Sequence, residues 1–298
     1  MTALDPAEHA MLVAALAWQI EAGVDECVSE TPVDRFTVAE AARATAEAAR
    51  VASKASAPRA GPTRPEPPRL DANRQDAVAP APSADGEQRE LGAAARALAA
   101  EATDLSALRA AMEGFQGSAL KAGAHSTVFA DGDPAARVMF IGEAPGRDED
   151  REGKPFVGRS GQLLDRMLAA IGLDRRAAGP ERGAYITNVL PWRPVDNRDP
   201  STDEAEMLWA FLERHIALVS PEVIVCLGKI PAATLLDHAV AITRMRGRWL
   251  RPTRAGGRPV LLTLHPAYLL RQPAEKAKSW RDLLSLRAVL DGAPPPEG

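Results

Sequence analysis

Three polar side chains sit at or just beyond short apolar runs of the sequence, and their chemistries are complementary. Glu143 follows residues 138–141, inside Gly142-Glu143-Ala144-Pro145-Gly146; Asn188 lies within 185–190; His265 follows 259–264. A carboxylate brings negative charge, an amide presents one donor and one acceptor edge, and an imidazole titrates near neutrality. A fourth candidate is Phe156, in Gly153-Lys154-Pro155-Phe156-Val157-Gly158. A ring in a Gly/Pro loop has no core periodicity, so it either plugs the domain or forms a stacking platform for a planar ligand. Directly after it, Ser160 is placed to cap a helix, and Gly158 and Gly161 can offer backbone N–H groups to an anion. A ring, an amide, an imidazole and a nearby basic tract together describe a pocket for a nucleobase held by its phosphate backbone.

The elements that must position these groups follow from apolar patterning. The runs 138–141, 185–190, 223–227 and 259–264 are short and mostly β-branched or bulky, as buried parallel strands are. Helical periodicity separates them. Ser160 precedes Leu163, Leu164, Met167, Leu168 and Ile171; Ser201 and Glu204 form a capping box ahead of Met207, Leu208, Phe211, Leu212 and Ile216; a shorter helix follows Gly228, around 232–236. Upstream, an Ala-rich helix is expected near 91–112. Such alternation implies an α/β fold with an open, parallel sheet and right-handed crossovers, in which ligands bind outside the carboxyl ends of the strands. Glu143, Asn188 and His265 therefore converge on one rim.

Charge and composition divide the chain. The formal net charge of −4 argues at face value against nucleic acid, but it averages two unlike ends. Residues 1–40 carry eight acids against Arg35, whereas residues 244–287 carry eleven bases against Glu275 and Asp282. The basic tract, which includes Arg246 and Arg271, is a candidate phosphate-binding surface. Residues 1–54 read as an acidic, helical extension: Asp5, Pro6 and Glu8 open a helix whose apolar face is Met11, Leu12, Ala15, Leu16 and Ile20. Residues 55–89, rich in Ala and Pro, read as a disordered linker. A globular domain is expected over 90–292 and a disordered tail over 293–298. No stretch approaches a membrane span or a secretory signal, so a soluble, intracellular protein is expected; the further expectations are a monomer and a cytoplasmic, nucleoid-associated location.

The motifs carry a family resemblance. Gly-Glu-Ala-Pro-Gly at 142–146, Gly-Lys-Pro-Phe-Val-Gly-Arg-Ser-Gly-Gln-Leu-Leu at 153–164, Asn188 with Arg193-Pro194 and Asn197-Arg198, and His265-Pro266-Ala267-Tyr268-Leu269-Leu270-Arg271 resemble the type-4 uracil-DNA glycosylases over residues 110–290. The resemblance implies a three-layer α/β/α fold around a central four-stranded, mainly parallel sheet. It also implies monofunctional hydrolysis of the N-glycosidic bond of uracil in DNA, leaving an abasic site. Gly142, Ala144, Phe156, Ser160 and Asn188 would bind the substrate: Phe156 would stack on a uracil flipped out of the helix and Asn188 would read its edge. His265 would hydrogen-bond O2, and Glu143 would position water or stabilise the cationic sugar. Arg271, Arg198, Lys229 and Arg246 would meet the DNA.

The chain departs from that family at one feature. Type-4 enzymes carry a four-cysteine iron–sulfur cluster, and the four ligand positions align here with Phe115, Ser118, Trp192 and Leu208. Phe, Trp and Leu cannot ligate iron, so no cluster is expected; Phe115, Trp192 and Leu208 should form an apolar plug instead. The two cysteines, Cys27 and Cys226, lie elsewhere. An alternative class is a glycosylase-like DNA-binding protein with weak or no activity, recruiting a partner through its N-terminal helix. A phosphate-binding nucleotide fold is disfavoured, because Gly-Glu-Ala-Pro-Gly lacks both the G-x-G-x-x-G spacing and a P-loop lysine.

Overall fold

The computed structural model describes residues 84–296 apart from 196, 197 and 199. The N-terminal helix expected around residues 5–20, and most of the expected linker, lie outside the described residues. Two helices, α1 (Ala84–Glu101) and α2 (Leu105–Gly114), replace the single helix expected near 91–112, and α1 starts ahead of the expected domain boundary at 90. The break has a local cause. Asp104 caps α2 by accepting from the Ala107 N–H at 2.8 Å, while the Arg214 guanidinium donates twice to the Ala102 carbonyl.

The remaining helices are α3 (Ala119–Gly123), α4 (Arg147–Glu152), α5 (Arg159–Ala170), α6 (Thr202–Val219), α7 (Lys229–Leu236), α8 (Ile242–Met245), α9 (Pro266–Arg271) and α10 (Lys276–Leu290). The strands are β1 (Ala130–Gly132), β2 (Val138–Gly142), β3 (Tyr185–Asn188), β4 (Val223–Leu227), β5 (Trp249–Leu250) and β6 (Val260–Thr263), in the order β1-β3-β2-β4-β6-β5. The four expected strands form the parallel centre. The two short edge strands pair antiparallel, which makes the sheet six-stranded rather than four-stranded.

Alternation along each central strand sorts the core into two layers. Met139, Ile141, Ile224, Cys226 and Leu262 face one cluster with Leu108, Phe211, Leu212, Ile216 and Leu235. Val138, Phe140, Ile186, Val225 and Leu261 face the other with Leu164, Leu168, Leu283 and Leu286. Helices thus cover both faces, as buried parallel strands require. One buried polar pair lies in the first layer, where the Tyr185 hydroxyl meets His215 Nε2 at 2.7 Å and Phe129 stacks on the same imidazole.

Strand register sets the rim. Gly142 pairs with Asn188, and Leu227 with Thr263, so the carboxyl ends of the central strands finish level. β2 is followed by β3 on one side and by β4 on the other, which puts the topological switch point at the end of β2.

Arg246 belongs to the scaffold. Its guanidinium pairs with Asp282 of α10, whose carboxylate is fully buried and also accepts from the Thr263 hydroxyl at 2.7 Å. This network ties the end of β6 to α10. Replacing Arg246 with Met leaves that buried carboxylate without its charge partner, so urea unfolding is expected to show a loss of about 3–5 kcal/mol. A loss under 1 kcal/mol would show that the pair contributes little.

Candidate active site

The floor of the site is the end of β2. A Cβ at Gly142 would lie 2.5 Å from Phe156 Cε2 and would also overlap Asn188 Oδ1. Only a residue without a side chain lets the amide and the ring meet there. Phe156 arrives with φ of 55°, in the left-handed region that bulky residues rarely adopt, and its ring is buried.

Three supports hold that conformation. Gly161 of α5 packs so closely that a Cβ would overlap the Phe156 carbonyl. Buried Arg175 donates to the Pro155 carbonyl at 2.9 Å and pairs with Asp165 at 2.7 Å. Buried Glu149 of α4 spans two loops: one carboxylate oxygen accepts from the N–H groups of Val157 (3.0 Å) and Gly158 (2.9 Å), the other from Gly146 (3.1 Å). Each is a charge-assisted bond to backbone, about twice as strong as a neutral one. Ser160 is therefore not the helix cap. Gly158 is the N-cap residue, α5 starts at Arg159, and the Gly158 N–H expected to meet an external anion is bound to Glu149.

The polar groups above this floor are poised differently from one another. Asn188 is 7% exposed and its Oδ1 has no hydrogen-bond partner, a situation that costs about 1–3 kcal/mol until a donor arrives. His265 is the N-cap of α9, and its Nδ1 accepts the Ala267 N–H at 3.1 Å. A neutral imidazole so bonded carries its proton on Nε2. Desolvation, with a contribution from the Arg271 charge, lowers its pKa to about 4, so the ring is neutral at pH 7. The His265 ring lies 5.4 Å from that of Phe156, and Gly228, at φ 103°, packs against its Cβ.

A cavity of about 230 Å³ opens over these groups, lined by Glu143, Ala144, Phe156, Ser160, Asn188 and His265 among others. The structure thus brings together all of the residues expected at strand ends and in the Phe156 loop, with Gly142 beneath them. Arg198 also lines the cavity, where it forms a two-pronged pair with Glu204 (2.8 and 2.5 Å) that raises its pKa. Arg271 is exposed at the end of α9. Lys229 is exposed at the start of α7 and borders a separate cavity between α6 and α7. Arg246 does not join the site, being held by Asp282.

Sequence reasoning missed Glu149 and Arg175. Glu149 sits between Asp148 and Asp150, and its one signal was the third-residue spacing from Gly146 that a capping box requires.

The positions expected to match the cluster ligands of type-4 enzymes are packed into the core. Phe115, Trp192 and Leu208 are buried in one hydrophobic cluster, with the Phe115 ring edge-on to Phe211 at 5.5 Å. The Trp192 indole donates to Thr127 Oγ1 at 3.0 Å, and Ser118 is the N-cap residue of α3. These side chains do not fit an iron–sulfur cluster. Among the described residues no group of three or more His, Cys, Asp or Glu is placed to hold a metal. Cys226 is buried in β4, where desolvation pushes its thiol pKa up, and Cys27 lies outside the described residues.

His265 and His215 share a consequence. Burial lowers the pKa of His215 to about 3, so both imidazoles stay neutral in the fold well below the usual 6.5. The unfolded chain takes up these protons first, so stability is fullest above pH 6.5 and falls as pH drops toward 4. The urea midpoint is expected to decrease from pH 7.5 to pH 5, and His215→Gln to remove about one proton from that dependence. An unchanged dependence in His215→Gln would show that this imidazole takes up its proton at the same pH in the fold as in the unfolded chain.

Residues 129–284 match the family model of the uracil DNA glycosylase superfamily. The chain is 42% identical over 147 residues to a type-4 uracil-DNA glycosylase of Archaeoglobus fulgidus, covering 48% of this chain and 71% of that relative. It is 38% identical over 170 residues to one of Thermotoga maritima, covering 52% of this chain and 83% of that relative. With its motifs at the carboxyl ends of a parallel sheet and these similarities across the same residues, the chain belongs to the uracil-DNA glycosylase superfamily, as a type-4 member.

Proposed function

We propose that this chain removes uracil from DNA by hydrolysing its N-glycosidic bond, leaving an abasic site for base excision repair. The observation that carries the reading is the buried, unpartnered Oδ1 of Asn188 beside the Phe156 ring. Uracil supplies what is missing: its N3–H donates to Oδ1, its O4 accepts from the Asn188 amide N–H, and its face stacks on Phe156. Extruding the nucleotide costs a few kcal/mol, which these contacts offset.

Bond cleavage sends the C1′–N1 electron pair onto the base, whose charge spreads to O2, while the sugar becomes oxocarbenium-like. A neutral His265 donates through Nε2–H to O2 and stabilises the departing anion without handing over a full positive charge. Glu143, at the cavity wall, faces the opposite demand: its carboxylate stabilises the cationic sugar and positions the water that adds to C1′. Water supplies hydroxide to the sugar, and the remaining proton neutralises the uracil anion. Arg271 and Arg198 would contact phosphates near the cavity mouth, and Lys229, at the neighbouring cavity, a phosphate further along the strand. Residues 90–292 would form the catalytic unit, acting as a monomer, with 1–54 and 55–89 as appendages.

Removing one donor to a developing oxyanion costs about 10²–10³ in rate. Uracil release from a uracil-containing oligonucleotide is therefore expected to fall by that factor in His265→Ala, and to fall also in Glu143→Gln. Wild-type cleavage by both variants would refute the residue assignments.

The same reading includes catalysis without an iron–sulfur cluster, supported by the packed Phe115, Trp192 and Leu208. Anaerobically purified protein is expected to contain no stoichiometric iron and no absorbance near 400 nm while releasing uracil. A stoichiometric cluster would overturn it.

A further inference from the structure

A second cavity, of about 200 Å³, lies between α5 and α10 beside α9. Its walls are Leu163, Met167, Leu269 and Leu283, and Trp280 stands at its edge, 41% exposed. Ser279 also lines it; this residue is 1% exposed and its hydroxyl has no hydrogen-bond partner. The cavity is smaller than the roughly 300 Å³ at which sites for drug-sized ligands begin, and its size suits one planar ring.

The surrounding charge is of one sign. Arg166 and Lys276 line the cavity and are exposed, as is Arg281 on the following turn. The nearby acids are engaged: Glu275 pairs with Lys278 at 2.6 Å, and Asp282 is turned inward to Arg246. Two helices contribute to both this cavity and the active site. Ser160 of α5 lines the first cavity and Leu163 the second, about 4.5 Å further along the axis. His265 caps α9, and Leu269 of that helix reaches the second cavity.

We propose that this groove is a second nucleotide subsite, which takes an unpaired base of the DNA strand next to the extruded uracil. Apolar walls and the Trp280 ring hold the face of the base, the Ser279 hydroxyl bonds its edge, and Arg166 and Lys276 meet the flanking phosphates. An exposed aromatic within a cationic groove is the usual construction for binding single strands. The inference rests on the DNA reading above.

The test uses the full chain and a uracil-free, single-stranded oligothymidylate. Its binding is expected to quench the exposed Trp280. Trp280→Ala is expected to weaken binding about tenfold, and Trp280→Phe, which keeps a ring, to restore most of it. An Arg166→Ala/Lys276→Ala double variant is expected to reduce the slope of log affinity against log salt by about 1.4. Uracil release from an oligonucleotide too short to span both cavities should be the same in Trp280→Ala as in wild type. Unchanged oligothymidylate affinity and salt slope in all variants would overturn the inference and leave the groove to an acidic protein partner. Absence of uracil release by the wild-type chain would instead count against the functional reading itself, so the two failures are distinguishable.

Discussion

The site depends on an empty volume at residue 142. The end of β2 is the point where the Asn188 amide and the Phe156 ring come together, and neither position survives a Cβ between them. That steric condition makes demands on the rest of the structure. Phe156 must enter from a loop in a left-handed conformation, so the loop must be held from several directions. Gly161 allows α5 to lie against its carbonyl, Arg175 grips Pro155, and the Glu149 carboxylate closes the two loops onto each other. A recognition cavity that must fit one flat ring needs this rigidity, because misplacement by about 1 Å can cost two orders of magnitude in rate.

On that floor, two polar groups are kept in defined states by backbone geometry. The Ala267 N–H fixes which nitrogen of His265 bears the proton, and desolvation keeps the ring neutral. The register of β2 and β3 holds Asn188 beside Gly142 with its oxygen unpaired. The binding energy of a base with the right edge is therefore larger than the count of its hydrogen bonds suggests, since it relieves a buried unsatisfied acceptor. Phe115, Trp192 and Leu208 pack with Phe211 in one apolar cluster, which joins the segments that carry them.

Much of this was legible in the sequence for simple reasons. The central strands are continuous apolar runs buried on both faces, and the residues following them had to reach the sheet rim. The edge strands β1 and β5 were not legible, because a three-residue Ala-Asp-Gly and a two-residue Trp-Leu carry no strand pattern and pair only through tertiary context. Glu149 was hidden by its acidic neighbours, since composition does not tell that Glu149 turns to the active-site loops while Asp150, equally buried, turns to the backbone of His125 and Ser126. Arg246 misled for the opposite reason: it belongs to a basic tract, yet a buried Asp282 from a distant helix claims it. The expected Ser160 cap failed because the helix already starts at Arg159, where the Glu149 carboxylate of α4 holds the Gly158 N–H.

The central claim is that a base fits where residue 142 lacks a side chain, and that this base is uracil. Single-turnover release of uracil from a uracil-containing single strand, by wild type and by Gly142→Ala, tests it most directly. The account predicts release by wild type and a loss of at least about a hundredfold in Gly142→Ala, in line with the cost of a displaced reacting group. No release by wild type, or equal release by the two, would contradict it.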